Sequence, residues 1–353
     1  MDRTLGTIER HWWRLGLSVA ANSIWIANLD GPLSEDVLRQ ALAMTQRAHP
    51  LLSVRIDSGK GEPRFVTDPQ ADVPLRVINR THEDTWIPEA HRELNQPIPA
   101  HQAPLLRVIF VKGQSTSDII INFHHVIVDG SGAFVFRDLL SFCGQLMQGA
   151  HPTVQSPGLP PLIERQIPKE YRGLIHARRI VDFLKRRMGK RSTTLRQIPQ
   201  REPDCPLEKR TTRFLLHSLS RQETQELIEV CRKHKTTFYG ATAAAFLLAA
   251  NRQIGLRDRE RMALSNAISL RSYLEPPLGD EICCCAVGGI VTSHSLGSTT
   301  DFWDLAISIR TDLRDAVDRG ELFYPGFLLR KIFLQVTRSQ ERYIRACCRN
   351  RIK

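Results

Sequence analysis

His124-His125-Val126-Ile127-Val128-Asp129-Gly130 sits where an apolar run, Ile119-Ile120-Ile121-Asn122-Phe123, gives way to a helical pattern. From Ser131 the apolar residues Phe136, Leu139, Leu140, Cys143, Leu146 and Met147 recur at helical spacing, and Gly149 closes the run. The spacing predicts a strand, a tight turn and a helix, with two histidines at the strand end. Histidine is the side chain whose ordinary pKa lets it accept a proton near neutral pH. Gly130 and Gly132 permit close backbone approach, and the positive end of the following helix favours a neutral imidazole and a developing oxyanion. Adjacent strand residues point to opposite faces, so one histidine faces a pocket and the other is structural. His125 is the leading candidate for a base.

Blander readings of the same residues exist. Two satisfied core histidines fit poorly with the flanking glycines and the strand-to-helix setting. A metal site fits worse, because no further His/Asp/Glu cluster at ligand spacing accompanies the pair. Asp129 alone reads as an acid at a helix N-terminus. Arg271 alone reads as a surface arginine in a turn before Pro276-Pro277.

The His-His-x-x-x-Asp-Gly pattern after an apolar strand resembles the signature of the CoA-dependent acyltransferase superfamily. That group includes peptide condensation domains, alcohol O-acetyltransferases and acyltransferases that esterify polyketide-derived lipids. The resemblance extends to Ile24–Leu33 and the helix around Leu38–Leu42, to His49-Pro50-Leu51-Leu52-Ser53-Val54-Arg55, and to Pro104–Val108 with the turn at Lys112–Ser117. Thr236–Ala241 and Ser269–Leu274 are similar to parts of the family's second half. The alcohol acetyltransferase-like branch fits better than peptide condensation.

The resemblance implies an α/β fold of two chloramphenicol-acetyltransferase-like subdomains, each a mixed sheet with flanking helices. It also implies roles. His125 would be the general base for an alcohol, or second an amine, attacking the thioester of an acyl-CoA or an acyl carrier protein's phosphopantetheine. His124 would support it. Asp129 would turn away from substrate and pair with Arg271, and Gly130 would keep a channel open beside the histidine. No permanently bound cofactor is implied. The likeness runs from about residue 5 to about residue 320, and the family's late Asp-Phe-Gly-Trp-Gly-like motif has no counterpart. Asp301-Phe302-Trp303 opens a helix instead. The second subdomain is therefore expected to be incomplete, which leaves a non-catalytic carrier-protein- or lipid-binding remnant as the alternative, beside a peptide-forming condensation domain.

A chain of 353 residues, 42% hydrophobic, is long enough for two cores. Prolines at 152, 157, 160, 161 and 168 and a basic stretch through Arg187–Pro206 suggest a first subdomain over 1–165, a basic helix and linker over 166–206, and a second subdomain over 207–353. The halves echo each other. Strand Ser23–Asp30 leads to a helix capped by Ser34, and an expected strand Thr212–Leu219 leads to one capped by Ser220, with Glu223 completing a capping box.

The formal charge of +12 is concentrated in two segments. Arg165–Arg191 carries ten Lys/Arg against Glu170 and Asp182, and Arg330–Lys353 carries eight against Glu341. The first, with an apolar stripe of Tyr171, Leu174, Ile175, Val181, Leu184 and Met188, reads as a solvated basic helix. Contact with an acidic carrier protein, CoA phosphates or an anionic membrane surface through 165–191 is the functional alternative. A nucleic-acid partner is not indicated, for want of zinc spacing, an RNA-binding aromatic signature or a helix-turn-helix. Eight cysteines without any Cys-x-x-Cys suggest reduced thiols and a cytoplasmic setting, with Cys283-Cys284-Cys285 expected to alternate faces on a strand. Leu15–Ala27 makes a poor signal peptide, and no run reaches the length of a membrane span.

Overall fold

A computed structural model describes residues 2–59, 61–172, 178–183, 194–196, 209–255, 260–297 and 299–324. The chain forms two compact units. The first comprises Met1–Gln166, Pro206–Phe214 and Arg271–Val287; the second comprises Ile167–Cys205, Leu215–Leu270 and Gly288–Lys353.

The first unit is built on a four-stranded sheet of β2 (Asn22–Asp30), β7 (Thr116–His124), β6 (Leu106–Lys112) and β5 (Leu75–Asn79), in that order. β7 pairs antiparallel with both neighbours, and β5 runs parallel to β6. Every residue of β7 after Thr116 is buried, which is why Ile119–Ile121 and Phe123 do not alternate with exposed polar residues; Ser117, Asp118, Asn122 and His124 are buried beside them. One side of the sheet joins Ile109, Val111 and Ile120 to Ala90, Trp86 and Phe214. Ala90 and Trp86 belong to α3 (Trp86–Asn95), which packs against β2 and β7. A smaller sheet orders β1 (Arg3–Thr4), β4 (Arg64–Thr67) and β3 (Val54–Asp57). Helix α2 (Glu35–Ala48) starts where Ser34 Oγ accepts the Val37 N–H and packs on α4 (Gly132–Met147), the helix foreseen after the motif. Gly149, at φ +77°, ends that stretch in the left-handed region.

The second unit has a three-stranded sheet, β10 (Val287–Ser295), β9 (Glu260–Ser269) and β8 (Thr194–Arg196). Its helices are α5 (Arg221–Lys233), α6 (Phe238–Ile254) and α7 (Phe302–Asp318). The small residues of α6 bring it close to α7. A Cβ on Gly240 would lie 2.8 Å from the Ala306 carbonyl, which also accepts a 2.9 Å hydrogen bond from the Thr236 hydroxyl. Ala243, Ala244, Leu247, Met262, Leu305, Ala306 and Ile309 form the core beneath.

Two sequence expectations fail. Thr212–Leu219 is not a strand. The Asn95 side chain takes both the N–H and the carbonyl of Thr212, Phe214 stacks on Trp86, and Leu215 is 98% exposed. One aromatic anchors this stretch, so it has no strand partner to alternate against. The capping box after it is present, Ser220 Oγ accepting the Glu223 N–H while Glu223 accepts the Ser220 N–H. Cys283–Cys285 is likewise irregular, and all three thiols are buried. Much of 165–191 and all of 325–353 lie outside the described residues, including most of the expected basic helix and the second charged segment.

Candidate active site

The motif occupies the turn between β7 and α4. His124 is the last strand residue, opposite Asn22, and the His125 N–H donates to the Ala21 carbonyl at 2.8 Å, extending the ladder by one step. The Ile127 N–H then closes on the His124 carbonyl at 3.1 Å, turning the chain toward the helix. This alternation separates the two rings, as strand geometry requires.

His124 is buried. Its Nδ1 accepts the Val126 N–H at 3.1 Å, which requires that nitrogen to be unprotonated. Its Nε2 makes no hydrogen bond and lies where a Cβ on Gly16 would come within 2.5 Å, so glycine is needed there for the ring to fit. Burial, aided by neighbouring His125, pushes the His124 pKa down to about 4. It is a neutral structural ring.

His125 keeps part of its surface open. Its ring lies flat against the Trp12 indole, with centroids 3.7 Å apart and planes 5° from parallel. Its pKa is lowered below the ordinary histidine value, first by burial; carbonyls of His125 and Val128 and the Asp129 charge oppose that shift. Burial, rather than the helix start invoked from sequence, is therefore the main reason the ring is neutral. No hydrogen bond of ordinary geometry reaches its Nδ1. A Cβ on neighbouring Gly130, which is exposed, would meet nothing within 4 Å, so open space lies beside the turn. Gly132 serves differently: a Cβ there would strike the Trp25 indole at 2.3 Å.

Asp129 faces away from this space. Its carboxylate accepts the Ser131 N–H and the Ala286 N–H, each at 2.8 Å. Arg271 stands 3.7 Å from it, an ion pair without a direct hydrogen bond. The guanidinium reaches instead the carbonyls of Gly279 at 2.9 Å and Ile282 at 2.7 Å, while the Ser131 hydroxyl donates to the Cys284 carbonyl at 3.2 Å. Arg271 and Asp129 thus clamp residues 279–286 against the histidine turn from both ends. The cysteine run is irregular in keeping with this, the Cys284 carbonyl turning to Ser131 and Arg271 rather than along a ladder. Burial raises all three thiols, Cys284 to about 12, so they stay protonated and unreactive near neutral pH.

Trp12 and Gly16 were not singled out by sequence. Their spacing on α1 (Thr7–Gly16), four residues apart on one face, was the available signal. His49, noted only within a family-like segment, is buried, with Nε2 3.0 Å from Asp138 on α4. A groove of about 640 Å³ lies elsewhere in the unit, lined by α3 residues and 211–213, and contains none of the motif residues. Among the described residues, no group of three or more His, Cys, Asp or Glu is placed to hold a metal ion, and no helix is long and apolar enough to cross a membrane.

Comparison with known proteins agrees with this architecture. Residues 15–258 match the condensation domain family, and residues 208–346 match the phthiocerol/phthiodiolone dimycocerosyl transferase C-terminus family. A phthiocerol/phthiodiolone dimycocerosyl transferase of Mycobacterium bovis is 24% identical over 315 residues, covering 84% of this chain and 70% of the relative. Chondramide synthase of Chondromyces crocatus is 24% identical over 279 residues, 76% of this chain and 7% of that protein. Among solved structures, polyketide synthase associated protein 5 from Mycobacterium tuberculosis superimposes with a TM-score of 0.65 at 20% identity, over 91% of this chain and 74% of the other. The first condensation domain of the calcium-dependent antibiotic synthetase gives 0.70 at 16% identity, over 91% and 75%. The two-subdomain, chloramphenicol-acetyltransferase-like α/β fold is thereby established. The chain belongs to the condensation-domain family of the CoA-dependent acyltransferase superfamily.

Proposed function

We propose that this protein transfers an acyl group from a CoA or carrier-protein thioester to an alcohol, with His125 as general base. The observation that carries the reading is the pairing of a neutral, partly open His125 with an Asp129 whose oxygens are held by two backbone N–H groups. In the proposed step the acceptor oxygen attacks the thioester carbonyl as His125 removes its proton. The tetrahedral intermediate then collapses, the C–S bond breaks, and His125 returns the proton to the departing thiolate. A base of this kind contributes roughly 10²–10⁴-fold, and holding thioester and acceptor together supplies much of the rest. The likeness to a dimycocerosyl transferase supports an acyl donor of lipid type. An amine acceptor is the second reading, motivated by the match to the condensation domain family and the likeness to chondramide synthase.

The test is transfer from a panel of acyl-CoAs and acyl carrier proteins to alcohols and amines, followed by mass spectrometry, for wild type, His125→Ala and His124→Ala. Ester formation lost in His125→Ala is the expected result. Equal residual activity in the two variants removes the assignment of the base. Amide products alone would move the acceptor to the second reading, and thioester binding without turnover would make the chain a binding module.

A further inference from the structure

We infer that Trp12 is a positioning residue for His125: it holds the imidazole flat so that one ring edge meets the acceptor, and its indole face receives the charge formed when the ring takes a proton. This rests on the reading of His125 as the base.

Three observations carry the inference. In the familiar arrangement of a histidine base, a carboxylate hydrogen-bonds the far ring nitrogen and sets its orientation. Here Asp129 is occupied by the Ser131 and Ala286 N–H groups, and His125 Nδ1 has no hydrogen bond of ordinary geometry. No carboxylate orients the ring; backbone carbonyls of His125 and Val128 act at its edge, and the face is held by packing, a parallel stack at 3.7 Å and 5°.

The second observation is that α1 is shaped for the motif. Trp12 and Gly16 share one helical face, the first lying on His125 and the second leaving room for His124. Large where the reacting ring needs a wall and small where the structural ring needs space, this face matches the pair of histidines in order.

Third, the helix is firmly seated. Glu9 accepts the Gly6 N–H at 2.7 Å and a two-pronged bond from Arg3 at 2.6 and 2.7 Å, while the Thr7 N–H bonds the Glu164 carboxylate. His11 meets the Trp12 indole near edge-on, at 5.5 Å and 72°. An indole face carries negative potential, so it attracts an imidazolium more than a neutral imidazole and favours the proton-bearing stage of the reaction. Titratable and charged groups packed on this turn include His124 and Asp129 on the turn itself, Arg271 behind Asp129 and the buried thiols of Cys283, Cys284 and Cys285, while His11 lies against the indole.

The experiment compares Trp12→Leu and Trp12→Phe in the full chain. Acyl transfer is measured alongside a histidine NMR titration in which the His125 signal is identified by its loss in His125→Gln. Leucine keeps apolar cover and removes the π face, so the His125 pKa should fall further and kcat should drop about tenfold, with KM within about twofold. Phenylalanine should restore most of both. Wild-type pKa and kcat in Trp12→Leu would overturn the inference, as would a Trp12→Phe protein no better than Trp12→Leu. Should the leucine variant not fold, a folded phenylalanine variant with a lowered His125 pKa and a kcat down about tenfold would overturn it, and near-wild-type values would support it. A wild-type protein that transfers from no thioester refutes the base assignment instead, while the titration still reports on the stack.

Discussion

Among the described residues, two histidines are seen flat on tryptophans, one in each unit. His125 stacks on Trp12 at 3.7 Å and 5°, and His234 on Trp303 at 4.0 Å and 7°. The ring geometry is nearly the same, yet the settings differ. His234 is exposed at the C-cap of α5, whereas His125 directly follows a buried strand beside an open turn, with its proton affinity lowered by burial. An aromatic stack is therefore not a site by itself. The backbone setting, a strand end feeding a clamped turn, is what separates His125, the proposed base, from His234.

The largest expected effect separates them by activity. His125→Ala should lower kcat/KM by roughly 10²–10⁴-fold, whereas His234→Ala leaves transfer at wild-type rate. A comparable loss in both variants, read by thioester consumption, would erase the distinction. The same assay against pH sharpens it. Because His125 must be neutral to act and its folded pKa is depressed, kcat/KM should persist below pH 6.5 and fail only as pH drops through the lowered value. A limb at or above 6.5 would contradict the burial of this ring.

Next in size is the cost of the neighbouring structural histidine. The folded protein binds a proton at His124 only near pH 4, the unfolded chain near 6.5, so the unfolded state holds more protons between these values. Stability should be unaffected by His124 above pH 6.5 and decline by about 3 kcal/mol as pH falls toward 4. Urea unfolding at pH 7 and pH 5 measures it, and His124→Gln should flatten that part of the dependence. A smaller effect concerns the clamp. Asp129→Asn and Arg271→Gln should each destabilise, with a coupling of about 0.5–3 kcal/mol in a double-mutant cycle. The 3.7 Å separation puts the expectation toward the low end, and clean additivity would show that each acts only through the backbone groups it holds. Smallest of all, His234→Ala should cost no more than about 1 kcal/mol of stability, the worth of an exposed aromatic contact.

What could be read without coordinates was mostly local. The strand-turn-helix around His124–Gly130, the Ser34 cap and the Ser220–Glu223 box depend on residues within a few positions of one another, and all are found. Thr212–Leu219 shows the limit of that reasoning. Its apolar residues resemble a strand, but Asn95 and His91, more than a hundred positions away, take its backbone groups at Thr212 and Phe214. The cysteine run was misread for the same reason. Arg271, suggested by likeness as a partner for Asp129, turned out mainly to hold the carbonyls of Gly279 and Ile282.

The amino-acid order alone determined that a titratable pair would end a buried strand, because a mainly apolar run, a glycine-bearing turn and a 3.6-residue period act over a dozen residues. Only the tertiary structure decided which groups surround that pair. Ala286 reaches Asp129 across 157 positions, and Trp12 reaches His125 from the first helix of the chain. Contacts of that span leave no periodic trace, since they are selected by how complete elements pack and not by the propensities of the residues beside them.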